Sequence, residues 1–311
     1  MGAPLISDQF HSQGKGRIIV QVVGGIGNQM FQYALGRAIA KRTGALLLLD
    51  KNVIEHANQD TPRNYDLNIF RMEPTFATRA DVARYHSHGA GVMGKIVHRL
   101  RGAAGAAEIL RQYKFEFQSH ILDLKPPLYI TGYWQSHRYF TDIVDDLRAD
   151  FAFRDPLPPG AEAFAHALAQ PGSVSLHVRR GDYLDPKYAN FIAPCEIDYY
   201  RRAVARVRQL VEQPVFFVFS DDLPWCRAHF DWLEGDVRFV EYESAPITKL
   251  HASDLQLMSL AQIFIIANST FSWWAAWLAG ARAKLVIAPR DWFKLRELKT
   301  DDLVPAHWER L

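Results

Sequence analysis

Apolar strand-like runs alternate with helical stretches along the chain. Arg17–Val23 (RIIVQVV) is a β-branched run that predicts a buried strand. A glycine-rich turn follows, and Asn28–Arg42 then carries apolar residues at helical spacing up to Gly44, a predicted C-terminal cap. Ala45–Leu49 predicts a second strand. This opening is a β-loop-α-β unit, which is typical of a parallel sheet.

The same alternation restarts in the second half of the chain. Three prolines and a glycine at 155–160 (DPLPPG) indicate a linker. The remaining predicted strands are Leu128–Thr131, Val174–Val178, Pro214–Phe219, Arg238–Tyr242, Ile263–Ala267 and Lys284–Ala288. The remaining predicted helices are Asp198–Leu210, Asp254–Leu260 and Phe271–Ala279.

We therefore predict an α/β fold with two Rossmann-like domains facing a central cleft, where a ligand would bind. An N-terminal domain is expected at 17–155 and a C-terminal domain at 160–311, after a flexible leader at 1–16. The stretch 52–115 has no regular pattern and supports no assignment.

Composition and charge exclude several classes of protein. Hydrophobic residues make up 49% and charged residues 23%, with a net charge of +2, so the chain is globular and has no dominant electrostatic attraction for nucleic acid. Two cysteines are too few for a disulfide framework or a zinc site. The chain has neither an apolar stretch of about 20 residues nor a signal peptide. We expect a cytoplasmic protein with at most peripheral membrane contact.

The glycine-rich turn between the first strand and helix is the first candidate site. Gly25 and Gly27 let the backbone approach a ligand, and a helix start offers free N–H groups to an anion. Asn28 adds a polar side chain that a plain turn does not need. Two other interpretations stay open, a structural turn and a dinucleotide fingerprint with Asp50 as the ribose acid, although Met30 stands where that fingerprint has glycine or alanine.

The second candidate is HVRRGDY, at the end of a predicted strand. His177 and Arg179 alternate onto one face of that strand, and Arg180 and Asp182 follow it. Adjacent arginines suit a pyrophosphate because each guanidinium donates parallel hydrogen bonds. A structural Arg–Asp ion pair is the alternative.

Two further motifs follow predicted strands. Asp221 and Asp222 (in FSDD) are candidates for contacting a nucleobase such as guanine, and capping of the next helix is the alternative. The second motif is NSTFSWW, with Ser269, Thr270 and Ser272. These hydroxyl side chains can bind a phosphate at the start of the predicted helix, and they can also cap that helix. The chain contains no Asp-x-Asp sequence, the arrangement that metal-dependent glycosyltransferases of another fold use.

The blocks GGIGNQMFQYALGRAIA, GYWQSHRYF, HVRRGDY, FSDD and NSTFSWWAAWLAG, in this order, resemble the bacterial form of the α-1,2-fucosyltransferase family, glycosyltransferase family 11, from about residue 17 to about residue 290. HVRRGDY is shared more loosely with α-1,6- and protein O-fucosyltransferases. The resemblance implies a GT-B fold and GDP-β-L-fucose (GDP-fucose) as donor. It also implies transfer with inversion to the 2-hydroxyl of a galactoside without a metal or other cofactor. A role in bacterial O-antigen or capsule synthesis is expected.

The resemblance also implies roles for individual residues. Arg179 matches the arginine that related fucosyltransferases use on the β-phosphate of the departing GDP, and His177 matches a position near the nucleotide, where a tucked structural imidazole is the alternative. The predicted donor-binding residues are Gly25, Gly27, Asn28, His177, Arg179, Arg180, Asp221, Asp222, Ser269, Thr270, Phe271 and Ser272. The predicted acceptor residues are Tyr133, Trp134 and Gln135, with core packing as the alternative for Trp134.

Inverting transfer also needs a general base near the acceptor hydroxyl. Asp182 is the candidate, and an anchor for Arg180 is its alternative role. Two other functions stay open from the sequence. One is an NAD(P)-dependent oxidoreductase built on the first β-α-β unit, and the other is a protein that senses the sugar nucleotide without turnover.

Overall fold

The computed structural model of the chain describes residues 16–56, 63–86, 108–242, 250–295 and 297–311. The chain divides into two compact units, Met1–Ala152 (unit 1) and Phe153–Leu311 (unit 2). The division lies just before the proline-rich segment at 155–160, whose end forms a 3₁₀ turn at Pro159–Ala161. The predicted leader lies outside the described residues except for Gly16.

Unit 1 is built on a five-stranded sheet whose neighbouring strands all pair in parallel. Its strands are β1 (Arg17–Gln21), β2 (Leu46–Asp50), β3 (Thr75–Phe76), β4 (Glu108–Arg111) and β5 (Leu128–Thr131). The order is β3-β2-β1-β5-β4, so the chain starts in the middle and builds first one edge and then the other. Such a reversal places a crevice at the carboxyl ends of the two central strands, β1 and β5.

Helix α1 (Ile26–Thr43) packs closely on one face of this sheet. Gly36 permits the approach, because a Cβ at that position would overlap the Val20 side chain and lie 2.8 Å from Cδ1 of Leu47. The helix ends at Gly44, which has a φ of 68° in the left-handed region that glycine adopts readily. The predicted first helix and its cap are confirmed.

The other elements of unit 1 are shorter. They are the helices α2 (Asn52–His56), α3 (Arg79–His86) and α4 (Val144–Asp150) and the 3₁₀ turns Leu67–Ile69, Ser119–Asp123 and His137–Tyr139. On the sheet face away from α1, Ile19, Leu48 and Tyr129 form a small core with Tyr85 of α3. The stretch 52–115 that shows no sequence pattern thus contributes α2, α3, β3 and β4.

Unit 2 contains a six-stranded sheet, again with all neighbours parallel. Its strands are β6 (Ser173–Val178), β7 (Val215–Ser220), β8 (Asp236–Phe239), β9 (Ile263–Ile265), β10 (Leu285–Ala288) and β11 (Glu309–Arg310). The order is β11-β10-β9-β6-β7-β8, so the reversal falls between β6 and β9. The predicted fold class, α/β with two Rossmann-like units in tandem, is confirmed, and the cleft between them stays a prediction.

Among the described residues of unit 2, five segments form helices. They are α5 (Glu162–Leu168), α6 (Ile197–Leu210), α7 (Leu223–His229), α8 (Leu250–Met258) and α9 (Thr270–Ala279). Helix α6 has buried residues at the three- and four-residue spacing of an apolar helix face, namely Tyr200, Ala203, Val204 and Val207. They pack in one core cluster with strand residues such as Leu176 and Val218.

One predicted strand is displaced in the structure. The prediction of Arg238–Tyr242 is wrong at both ends, because β8 pairs with β7 from Asp236 opposite Val215 to Phe239 opposite Val218. Pairing with the neighbouring strand, rather than the local run of apolar residues, sets these bounds.

Among the helices of the described ranges, none has both the length and the apolar character that crossing a bilayer requires.

Candidate functional site

Three of the predicted motifs meet at the carboxyl edge of the unit 2 sheet. HVRRGDY begins with the last two residues of β6, FSDD includes the last two residues of β7, and NSTFSWW follows β9. Strand β6 lies between β7 and β9. This edge is also where the strand order reverses, the position at which open parallel sheets bind their ligands. The co-location that the sequence suggests for these three motifs is therefore found in unit 2.

Arg179 is held between two carboxylates at this edge. Its Nη2 lies 2.7 Å from Oδ1 of Asp182 and its Nη1 lies 3.0 Å from Oδ2 of Asp221. The side chain is 22% exposed. Burial works against the charge, but Asp221 and Asp182 raise the pKa of Arg179 above its ordinary value, so the guanidinium stays charged and fixed in orientation.

Arg180 is oriented by a separate set of contacts. Its Nε lies 3.0 Å from Oδ2 of Asp222, and its guanidinium carbon lies 3.7 Å from the ring centroid of Trp225. Asp222 also caps α7, since its Oδ1 accepts the backbone N–H of Trp225 at 3.1 Å. Asp182 pairs with Arg179, and Asp222 pairs with Arg180, so the role of Asp182 as an anchor for Arg180 stays a prediction.

Gly181 allows the HVRRGDY motif to lie close to the FSDD motif. A Cβ on Gly181 would overlap Oδ2 of Asp221, the oxygen that pairs with Arg179. The other oxygen of Asp221 accepts the backbone N–H of Arg180 at 2.9 Å. No sequence pattern singles out Gly181, whose role depends on β6 and β7 lying side by side.

His177 is a buried side chain at the end of β6. It is 5% exposed, its ring lies 5.7 Å from the Phe271 ring, and its Nδ1 has no hydrogen-bond partner among the described residues. Burial, together with the nearby Arg179 charge, lowers the pKa of His177 to about 3. The imidazole is therefore neutral at physiological pH, and its expected position near the nucleotide stays a prediction.

Acidification is expected to destabilise the protein through His177. The pKa of a histidine in the unfolded chain is 6.5. As the pH falls below this value, His177 therefore binds a proton in the unfolded chain, whereas in the folded protein it stays neutral down to about pH 3. The contribution of the neutral His177 to the free energy of unfolding is fully present above pH 6.5 and is lost as the pH falls below it. Between about pH 6.5 and 4.5 this loss is about 2 kcal/mol.

The measurement is urea unfolding over this pH range for the wild type and for His177→Gln. We expect a shallower dependence on pH in the variant. Burial raises the pKa of Asp66 and of Asp254 to about 6, so these groups titrate in the opposite direction, but they do so in both proteins. Identical pH profiles for the two proteins would refute the assignment.

The turn after β9 is fixed by its own side chains. Asn268 is buried and its Nδ2 donates to the carbonyls of Ala193 and Trp292, both at 3.0 Å. Ser269 caps α9 by accepting the N–H of Phe271 at 3.3 Å. Ser272 is fully buried, and its hydroxyl lies 3.3 Å from the carbonyl of Ser269. Its hydroxyl therefore serves the helix start, and we leave Ser272 out of the proposed donor site.

A second polar cluster lies at the strand reversal of unit 1. The Nε2 of Gln135 donates to Oδ1 of Asn28 at 2.7 Å and so joins the loop after β5 to the glycine turn after β1. Gln32 reinforces this link, because its Oε1 accepts from the N–H of Val23 and its Nε2 donates to the carbonyl of Gly132, both at 3.0 Å. This role of Gln32 is not predicted from the sequence, because it depends on which loop lies beside the glycine turn.

The loop at 132–135 holds strained and unsatisfied groups. Trp134 has a φ of 56°, which is rare outside glycine. Its Nε1, Oε1 of Gln135 and Nε2 of Gln112 are buried without a hydrogen-bond partner among the described residues. Such groups concentrate at functional sites. Trp134 is itself buried as core, whereas Tyr133 is 45% exposed.

Comparison with known proteins identifies the family. The sequence profile described as glycosyl transferase family 11 matches residues 108–310, more than half of the chain. The chain belongs to glycosyl transferase family 11. It is similar to an α-1,2-colitosyltransferase of Escherichia coli, with 30% identity over 94% of this chain and 98% of the relative.

Two further relatives of this family 11 chain extend the comparison. The O-antigen biosynthesis glycosyltransferase WbnK of Escherichia coli is 29% identical over 87% of this chain and 93% of the relative. The galactoside 2-α-L-fucosyltransferase Sec1 of Mus musculus is 28% identical over 87% of this chain and 66% of the relative. The named activities of these relatives are glycosyl transfers.

The family assignment does not support the oxidoreductase alternative. The structure gives a physical reason as well, because Asp50, the suggested ribose acid, is buried. Its Oδ2 accepts from the Tyr129 hydroxyl at 2.7 Å and its Oδ1 from Nδ2 of Asn52 at 2.6 Å.

In the described part of the chain, no group of three or more His, Cys, Asp or Glu residues is arranged to hold a metal ion.

Proposed function

We propose that this family 11 enzyme transfers L-fucose from GDP-fucose to the 2-hydroxyl of a galactoside, with inversion, in the synthesis of a bacterial surface glycan. The galactoside α-1,2-fucosyltransferase and O-antigen glycosyltransferase among the relatives support this proposal. The colitosyltransferase relative favours a second donor, GDP-L-colitose, whose sugar is the 3-deoxy analogue of fucose.

One observation carries the proposal, namely the fixed guanidinium of Arg179 at the strand reversal of unit 2. Breaking the bond between sugar and phosphate develops negative charge on the departing diphosphate. A pre-oriented cation stabilises that charge without reorganising during the reaction. Each terminal nitrogen of Arg179 carries two N–H groups and directs one at a carboxylate, so a phosphate oxygen would take the others.

The surrounding residues are assigned supporting roles. Arg180 is the second cation, and the N–H at Thr270, at the start of α9, is the proposed uncharged donor to phosphate, whereas the N–H of Phe271 already donates to the Ser269 hydroxyl. Asp222 is the proposed guanine contact, since its side chain is 33% exposed. Asp182 already pairs with Arg179, and we propose it as a positioning residue rather than the general base.

In unit 1 the proposed substrate residues are Asn28, Tyr133 and Gln135. Asn28 and Gln135 hold each other at 2.7 Å, beside the glycine turn. Tyr133 presents an exposed ring on the same loop as Gln135. Trp134 is assigned to the core of this loop because its side chain is buried.

A transfer assay with binding controls tests the proposal. The enzyme is incubated with GDP-fucose or GDP-L-colitose and a panel of β-galactosides, and products are detected by mass. We expect a product larger by one deoxyhexose or dideoxyhexose, linked at the 2-hydroxyl. In thermal unfolding, GDP should raise the melting temperature because it binds only the folded state, and NAD should not. Stabilisation by NAD alone, with no transfer from either donor, would refute the proposal.

A further inference from the structure

A cavity of about 440 Å³ lies beyond the carboxyl ends of three strands of unit 1. We call it the strand-end pocket and define it by the side chains of Gln21, Arg111, Gln112, Tyr113, Tyr129 and Thr131. Strand alternation explains why they converge, because Gln21, Arg111 and Thr131 are the last residues of β1, β4 and β5 and share one sheet face. Helix α1 covers the opposite face, on which Val20 lies.

The lining of the strand-end pocket has the chemistry of a carbohydrate site. Its described lining residues offer two primary amides, hydroxyl groups and one guanidinium, and none of them carries a carboxylate. Amides and hydroxyls donate and accept, which matches the paired donor and acceptor character of sugar hydroxyls. Tyr113 adds an aromatic side chain that is 87% exposed. Its ring has an apolar face for the C–H surface of a pyranose.

The polar groups of the pocket are fixed by hydrogen bonds within the fold. The Nε2 of Gln21 donates to the Tyr129 hydroxyl at 3.1 Å, and the Thr131 hydroxyl donates to Oε1 of Gln21 at 2.8 Å. The Tyr129 hydroxyl in turn donates to the buried carboxylate of Asp50 at 2.7 Å. Burial and this carboxylate raise the pKa of Tyr129, so the phenol stays protonated. A ligand would meet groups that are already oriented, which lowers the entropy cost of binding.

The strand-end pocket is continuous with the loop that carries the proposed acceptor residues. Oε1 of Gln112 accepts the backbone N–H groups of Tyr133 and Trp134 at 2.8 and 3.1 Å. The next residue, Gln135, binds Asn28. One side of the pocket therefore supports the strained loop at 132–135, and a ligand in the pocket would lie against that loop.

We propose that the strand-end pocket binds one pyranose unit of the acceptor glycan through Gln21, Thr131 and Tyr113. The volume falls within the range of small-molecule sites and accommodates a monosaccharide with ordered water. This inference rests on the proposed function, because the acceptor is a glycan only if the enzyme is a glycosyltransferase acting on one.

Two variants with little risk to folding test the pocket. Tyr113→Ala removes an exposed ring, and Thr131→Val keeps the shape of the side chain while releasing Gln21. Leu210→Ala is the matched control, since it removes an exposed apolar side chain at the end of α6 in unit 2. We expect each pocket variant to raise the KM for the galactoside about tenfold, the effect of one lost contact. The KM for the sugar nucleotide and the acceptor-free hydrolysis rate should stay as in the wild type.

Direct binding separates failure of this inference from failure of the proposed function. Saturation-transfer NMR with the unmodified galactoside reports contact without turnover. Galactoside signals that weaken in Tyr113→Ala and keep their wild-type intensity in Leu210→Ala support the pocket even if no transfer is detected. Unchanged galactoside KM and unchanged NMR signals in both pocket variants would overturn the inference while leaving the proposed transfer intact.

Discussion

Replacing Arg179 with alanine is expected to lower the rate of sugar transfer by about 10²–10³-fold in a protein that still folds. The loss follows from the removal of a fixed cation from the developing charge of the leaving diphosphate. Asp182 and Asp221 would also lose their shared partner, so a moderate loss of stability is expected. Arg179→Lys keeps the charge but cannot span both carboxylates and a phosphate, so its activity should fall between those of alanine and wild type.

The matched control is Arg202→Ala. Arg202 is also in unit 2 and also pairs with an aspartate, Asp198, at 2.8 Å, but its side chain is 55% exposed. Such exposed pairs contribute little, so this variant should transfer at the wild-type rate. The kcat and the melting temperature are measured for all three variants. An Arg179→Ala protein that keeps more than about a third of wild-type activity would contradict the role assigned to Arg179.

Gly181→Ala is expected to lower kcat by about ten- to a hundredfold through a purely steric effect. The new Cβ would overlap Oδ2 of Asp221, so the carboxylate must move away from Arg179 and from the backbone N–H of Arg180. Arg179 would stay charged but lose one of the two groups that orient it. The expected loss therefore lies in kcat more than in the KM for the donor.

Gly235→Ala separates stability from activity in this experiment. A Cβ on Gly235 meets nothing within 4 Å, but its φ of 93° strains an alanine. That variant should lose about 1 kcal/mol of stability and keep its activity. Gly181→Ala with wild-type kcat, or with a loss matched by Gly235→Ala at equal stability, would show that the position of Asp221 does not matter.

Much of the fold follows from local sequence patterns. Strands β1, β5, β6 and β10 and helix α1 are found close to their predicted bounds, because each shows a local pattern of apolar residues typical of its element. Strands β3 and β11 have two residues each, too few to show any alternation. They form because each pairs with the edge of a neighbouring strand, β3 with β2 and β11 with β10. Such pairing depends on the tertiary structure.

The sequence predicts which motifs meet in unit 2 but not how their side chains pair. The ion pair of Arg179 with Asp221 depends on the register of β6 and β7, in which His177 lies opposite Phe219. The contact between Gln112 and Tyr133 likewise depends on β4 lying beside β5, in a stretch without a sequence pattern. Helix capping by Asp222 is a local interaction, and the sequence predicts it as the alternative to a nucleobase contact.

Transfer in the presence of a chelator tests the central claim most directly. That claim is that guanidinium groups and helix-start N–H groups, rather than a divalent cation, stabilise the departing diphosphate. The initial rate with GDP-fucose and a reactive galactoside is measured in excess EDTA and again after manganese is added in excess over the EDTA. The same initial rate is expected under both conditions. A rate that vanishes in EDTA and returns with manganese would contradict it.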